Sequence, residues 1–193
     1  MKKHILQIDV IIGLLKPETD IEHQLINHPD FKEGLFWGKP RYGHPEGKVI
    51  YHIAEVLKNI DQLNINLHTR QQLRLVAFLH DTFKHLEDTK RPRDWSKHHS
   101  ILALNFAKQF IDDEVVLKII EHHDEAFYSW RMQYVFNKME EGEKRTEKLL
   151  KNIGDGIQTF YLFFKCDTRT GDKNQKPLIW FEATIPKIEV VNF

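Results

Sequence analysis

Apolar residues recur at helical spacing through most of the chain. Val49, Ile53, Val56, Leu57, Ile60 and Leu63 fall on one side of a helix beginning near Gly47. His52 shares that side, between Val49 and Val56. Leu73, Val76, Ala77 and His80 line one face of a second helix, for which Thr69 and Gln72 read as a capping box. Leu75, Phe78 and Leu79 make this helix apolar almost all round, which predicts a central position. A third helix is expected over residues 96–111, with His99, Ala103, Phe106 and Phe110 on one face. A fourth runs through Val115, Val116, Ile119 and Ile120 to His122 and His123. Asp112, Asp113 and Glu114 favour its start, because carboxylates complement the positive end of the helix dipole.

Other stretches carry weaker patterns. Residues 18–28 read as a short helix and 127–139 as a longer one. Residues 29–47 are rich in glycine, proline and aromatics and read as irregular. Residues 84–97 form a basic loop, and the charged stretch 140–148 fits a turn or a solvated helix surface. Residues 157–167 fit a helix, although Phe160, Tyr161, Phe163 and Phe164 would also suit a strand. The tail, 178–193, has β-branched residues and Pro186 and reads as extended. No internal repeat is visible, and 193 residues suit one mostly helical domain.

Composition narrows the function. Hydrophobic residues make up 41% and charged residues 29%, an ordinary globular balance. Lysine plus arginine equals aspartate plus glutamate at 28 each, so no protein-wide field draws the chain to nucleic acid or an anionic membrane. The single cysteine, Cys166, excludes an intramolecular disulfide and suits a reducing compartment. The apolar run 10–15 is too short and interrupted for a signal peptide or a membrane span, so the expected location is cytoplasmic.

The chemistry is carried by histidine, of which there are 12. His80-Asp81 ends an apolar helix, and His52 sits on the apolar face of another. A buried aspartate is costly unless it is paired or binds a cation, and a buried histidine needs partners too. A divalent ion satisfies both. Taken singly, each residue also fits a core histidine bonded to a carbonyl, or a capping aspartate.

Together they resemble the HD superfamily. Residues 43–57, from Gly43-His44-Pro45 through His52 to Leu57, resemble its first motif. Residues 75–84, an apolar helix ending in His80-Asp81 with Lys84 three residues on, resemble its second. Phe163-Phe164-Lys165-Cys166-Asp167 resembles the stretch that delivers the last aspartate, with Asp155 and Asp172 as neighbouring alternatives. The resemblance implies an all-α helical bundle with a motif-bearing core over 43–167 and an extension over 172–193. It implies that His52, His80, Asp81 and Asp167 hold a divalent metal (manganese, cobalt, nickel, zinc, magnesium or iron). It further implies a phosphohydrolase that turns metal-activated water on a nucleotide or another small phosphate ester. Asp81 and Lys84 are then the catalytic candidates, and Lys84, Arg91 and Arg93 the substrate-binding ones.

Some members of that superfamily carry further histidines in the order seen at His98-His99 and His122-His123, and bind two metals. His99, His122 and His123 are accordingly candidates for a second ion or for phosphate. The GYP signature of one two-metal group is absent. A di-iron oxygenase on the same scaffold and a non-catalytic nucleotide-binding module are the alternatives. The expected partner is a small phosphate-bearing molecule, with a homodimer left open.

Overall fold

A computed structural model describes residues 2–193, and the fold is all-α. The helices are α1 (Lys2–Leu15), α2 (Asp20–Asn27), α3 (Pro29–Leu35), α4 (Val49–Ile60), α5 (Leu67–Leu79), α6 (His99–Ala107), α7 (Glu114–His122), α8 (Glu125–Tyr134), α9 (Met139–Ile153), α10 (Ile157–Thr168) and α11 (Lys176–Thr184). Single 3-10 turns occur at Lys84–Leu86, Trp95–Lys97 and Gly154–Gly156. Among the described residues the only β feature is an isolated bridge between Arg41 and His44.

Two helices form the centre. Every residue of α5 from Gln72 to Leu79 is buried, as its all-round apolar pattern predicts. In α10 every residue from Phe160 to Cys166 is buried. That removes the strand alternative for this stretch, since a continuous apolar run suits a helix enclosed on all sides as well as a buried strand. α4 and α10 both pack on α5, and α7 packs on α5 and α6. Arg74, buried on α5, ties the N-terminal helices to this centre. Its guanidinium makes a fork with Glu22 (2.8 and 3.0 Å) and donates to the carbonyl oxygen of Lys16 at 2.9 Å.

The sequence expectations fail at several boundaries, each for a local reason. α5 starts earlier than its expected capping box: Asn66, not Thr69, is the N-cap, and its side chain accepts from the Thr69 N–H at 2.9 Å. Pro29 opens α3 inside the stretch expected to be irregular; proline suits the first helical turn, where its missing N–H would have no partner. Residues 140–148 lie within α9, in keeping with the solvated-helix reading, and the helix expected over 127–139 ends at Tyr134, with Met139 already opening α9. The tail is helical over Lys176–Thr184 and non-helical only beyond. There Pro177 stands at the helix start, and Phe181 packs on Phe164 and Phe160 at centroid distances of 5.4 and 5.8 Å. Packing against α10 outweighs the β-branched composition. α1 has no counterpart in the sequence expectations.

α3 presses on the turn that follows α5. Gly34 lies so close to Thr82 that a Cβ there would overlap the Thr82 carbonyl.

Candidate metal centre

Five helix ends converge on one point. His52 comes from the first turn of α4, His80 and Asp81 from the end of α5, and His99 from the first position of α6. His123 follows the last residue of α7, and Asp167 lies in the last turn of α10. His52, His80, His99 and His123 are all buried.

The four imidazoles face inward in pairs. His52 Nε2 is 3.2 Å from His80 Nε2, and His99 Nε2 is 3.1 Å from His123 Nε2. The other ring nitrogens are engaged elsewhere. His80 Nδ1 donates to the Ala77 carbonyl at 3.0 Å and His123 Nδ1 to the Ile120 carbonyl at 2.8 Å. A carbonyl only accepts, so these Nδ1 atoms carry protons, and a neutral ring then presents its Nε2 lone pair. His99 Nδ1 donates to Glu87 Oε2 at 2.9 Å, and His52 Nδ1 faces Glu46 Oε1 at 3.5 Å. Lone pairs pointed at one another are repulsive unless a cation lies between them.

Carboxylates complete each pair. Asp167 Oδ1 is 2.9 Å from His52 Nε2 and 3.6 Å from His80 Nε2. Asp124 Oδ2 is 3.3 Å from His99 Nε2 and 3.6 Å from His123 Nε2. Asp81 stands between the pairs. Its Oδ2 faces His52 and His80 at 3.7 and 3.6 Å, and its Oδ1 faces His99 and His123 at 3.6 and 3.7 Å. Ligand atoms about 2.1 Å from one ion are separated by about 3.0–3.4 Å at octahedral to tetrahedral angles. The Nε2–Nε2 separations of 3.2 and 3.1 Å fall in that range and the Asp81 contacts of 3.6 and 3.7 Å lie just above it, an arrangement compatible with a divalent ion at each pair.

Electrostatics favour the same reading. Burial pushes the Asp81 carboxyl up, but the Lys84 ammonium beside it outweighs burial and holds it well below the usual carboxylate range. Asp167 is held down likewise, with Lys173 the first opposing charge. Lys84 Nζ donates to Asp81 Oδ2 at 2.5 Å, and Lys173 Nζ to Asp167 Oδ1 at 2.9 Å. Two ammonium groups thus sit on the acidic oxygens of the cluster. Burial moves His52 down to about 4, so its ring is neutral and free to act as a ligand near neutral pH.

That displacement predicts a pH dependence. Unfolded, His52 titrates near 6.5, so between pH 6.5 and 4 the unfolded chain binds more protons than the folded one. The metal-free protein therefore loses stability on acidification through that window. For His52 alone the loss from pH 7 to pH 5 is about 2 kcal/mol. Urea unfolding of chelator-treated protein should show this loss to be smaller by that amount in His52→Gln. Equal losses in both proteins would contradict the assignment of a neutral, buried ring.

Not every sequence candidate joins the cluster. His122 turns the other way, with Nε2 3.2 Å from Asn152 Nδ2, and lines a neighbouring cavity with Arg145 and Tyr128. Arg91 is exposed, and Arg93 is ion-paired to Glu87; neither lines the cavity over the histidines. Asp172 is turned away to the Gly43 N–H at 2.6 Å, and Asp155 is exposed in the 3-10 turn before α10. In return the fold supplies Asp124, Glu87, Glu46 and Lys173. Asp124 had a legible signal: His123-Asp124 repeats His80-Asp81 at the end of a second helix, and both histidines bond the carbonyl three residues back. The other three lie in aperiodic segments with no such mark.

Above the cluster opens a cavity of about 410 Å³. Its deep end holds His80, Asp81, Lys84, His123, Asp124 and Asp167, and Lys173 stands at its side. Phe127, Trp130, Phe164 and Pro177 give it an apolar wall. No helix among the described residues is long and apolar enough to cross a membrane.

A family model described as HD domain matches residues 49–153, more than half of the chain. No curated protein and no solved structure matches the chain.

Proposed function

The chain belongs to the HD-domain family, and from that premise we propose that it is a metal-dependent phosphohydrolase acting on a nucleotide or another small phosphate ester. The observation that carries this reading is the pair of facing histidine couples with one Asp81 oxygen turned to each. His52, His80, Asp167 and Asp81 would hold one divalent ion, and His99, His123, Asp124 and Asp81 a second. Bound there, such ions supply Lewis acidity to a phosphoryl group and acidify water at neutral pH.

The chain's own groups do the remainder. Asp81, held ionised, accepts a hydrogen bond from the attacking water and orients it; its low pKa makes it a weak proton acceptor. Lys84 is half-buried, and Asp81 and Asp124 outweigh the cost of that partial burial to keep its ammonium charged. It meets a phosphoryl oxygen from one side of the cavity floor, and Lys173 meets another from the side of Asp167. The apolar wall takes the carbon part of the ester, and the cavity volume lies in the range of small-ligand sites. His122, Arg91 and Arg93 take no part in this arrangement.

Lys84→Met is expected to lower kcat/KM about 10- to 100-fold, the equivalent of one charge-assisted hydrogen bond to phosphate. Steady-state kinetics on whichever ester is turned over checks this; an unchanged kcat/KM would remove Lys84 from the site.

The reading is tested by the metal content of the purified protein together with phosphate release from a panel of nucleotides and small phosphate esters. Manganese, cobalt, nickel, zinc or magnesium with phosphate release supports it. Two equivalents of iron without phosphate release would favour an oxygenase, and no turnover with any metal would favour a binding module.

A further inference from the structure

We propose that Glu87 is the positioning residue of the second ion, held in place by Arg93; the inference rests on the two-ion reading above.

The case begins with how each histidine is aimed. His80 and His123 are fixed by carbonyls of their own helices, three residues back. His99 is the first residue of α6, so no helical carbonyl precedes it. Its aim must be set from outside the helix. Glu87 does this: its Oε2 accepts from His99 Nδ1 at 2.9 Å, a shorter contact than His52 Nδ1 makes with Glu46 or with Thr170 Oγ1 (3.5 and 3.4 Å). A carboxylate on the far nitrogen of a metal-binding imidazole fixes its tautomer and raises its basicity as a ligand.

Glu87 itself is nearly buried, with a side chain 10% exposed, and a carboxylate in that position needs a countercharge. Arg93 provides it as an ion pair to Oε1, and its guanidinium lies over the Trp95 ring, 4.7 Å from the centroid. The basic stretch 84–97 thus contributes a support running from Trp95 through Arg93 and Glu87 to His99.

Glu87, His98 and His99 also lie close enough together to take a cation themselves. Two contacts argue against that use. His98 Nδ1 accepts from the Ser100 N–H at 3.3 Å as the cap of α6, and Arg93 already occupies Glu87 Oε1.

The test is a calorimetric titration of manganese into chelator-treated wild type, Glu87→Ala, Glu87→Gln and Arg93→Met, with electron paramagnetic resonance reporting coupling between two ions. Wild type is expected to bind two equivalents. Glu87→Ala should lose about 10- to 100-fold in affinity for one equivalent, keep the other, and lose the coupled signal at limiting metal. Glu87→Gln, which keeps an acceptor, should recover most of the loss. Arg93→Met leaves Glu87 unanchored and should weaken the same equivalent, which tests the assignment even where Glu87→Ala does not fold. Equal weakening of both equivalents, or none in folded Glu87→Ala and Arg93→Met, overturns the role of Glu87 alone. A wild type that takes fewer than two equivalents overturns the two-ion reading and this role with it.

Discussion

Asp81→Ala is expected to empty both ion positions at once and to lower phosphate-ester hydrolysis at least about 1000-fold, several kcal/mol of transition-state stabilisation. The reason is geometric. Each of the other ligands faces one histidine pair, whereas Asp81 turns one oxygen to each. Its loss also leaves Lys84 without its ion-pair partner, so a cation stands beside positions meant for cations. Asp81→Asn, which keeps the shape and removes the charge, should lie close to alanine in metal content. By contrast, Asp167→Ala should deplete the first position and leave metal at the second. Metal content of each variant, measured beside kcat/KM, separates these outcomes. Full metal in Asp81→Ala would show that Asp81 is not the shared ligand.

Gly34→Ala is expected to destabilise the fold by about 3 kcal/mol, although it adds only one methyl group. The added Cβ would overlap the Thr82 backbone, and backbone cannot swing aside as a flexible side chain can. Thr82 is buried, and its hydroxyl donates to the Phe78 carbonyl at 2.6 Å. Relief therefore requires α3 to lift from α5 or the turn after Asp81 to shift. For a chain of this length such a loss lowers the melting temperature by about 10 °C. Urea unfolding measures the free energy directly, and a change within 1 kcal/mol of zero, by order of magnitude the effect of an ordinary surface substitution, would contradict the packing described.

What could be read from the sequence follows from where periodicity is strong. α4, α5 and α7 carry regular apolar faces, so their existence and the inward aim of His52 and His80 were legible. The choice between His122 and His123 was not, because neighbours in sequence differ by about 100° around a helix. In the fold His123 faces the cluster, its Nδ1 held by the Ile120 carbonyl, whereas His122 turns to Asn152. α3 and α11 were missed because proline, glycine and β-branched residues mark turns and strands locally, while packing on Thr82 and Phe164 is decided at long range. Glu87 and Lys173 lie in segments without periodicity, and the folded chain alone brings them to His99 and Asp167. Arg93 shows the converse: a basic loop residue that suits phosphate in sequence is spent on Glu87 in the fold.

The most direct measurement is anomalous X-ray scattering from a crystal of the protein loaded with manganese. The account predicts two anomalous peaks about 3.5–4 Å apart, one between His52 and His80 and one between His99 and His123, with Asp81 between them. A peak at only one histidine pair, or at neither, in manganese-saturated crystals would contradict it.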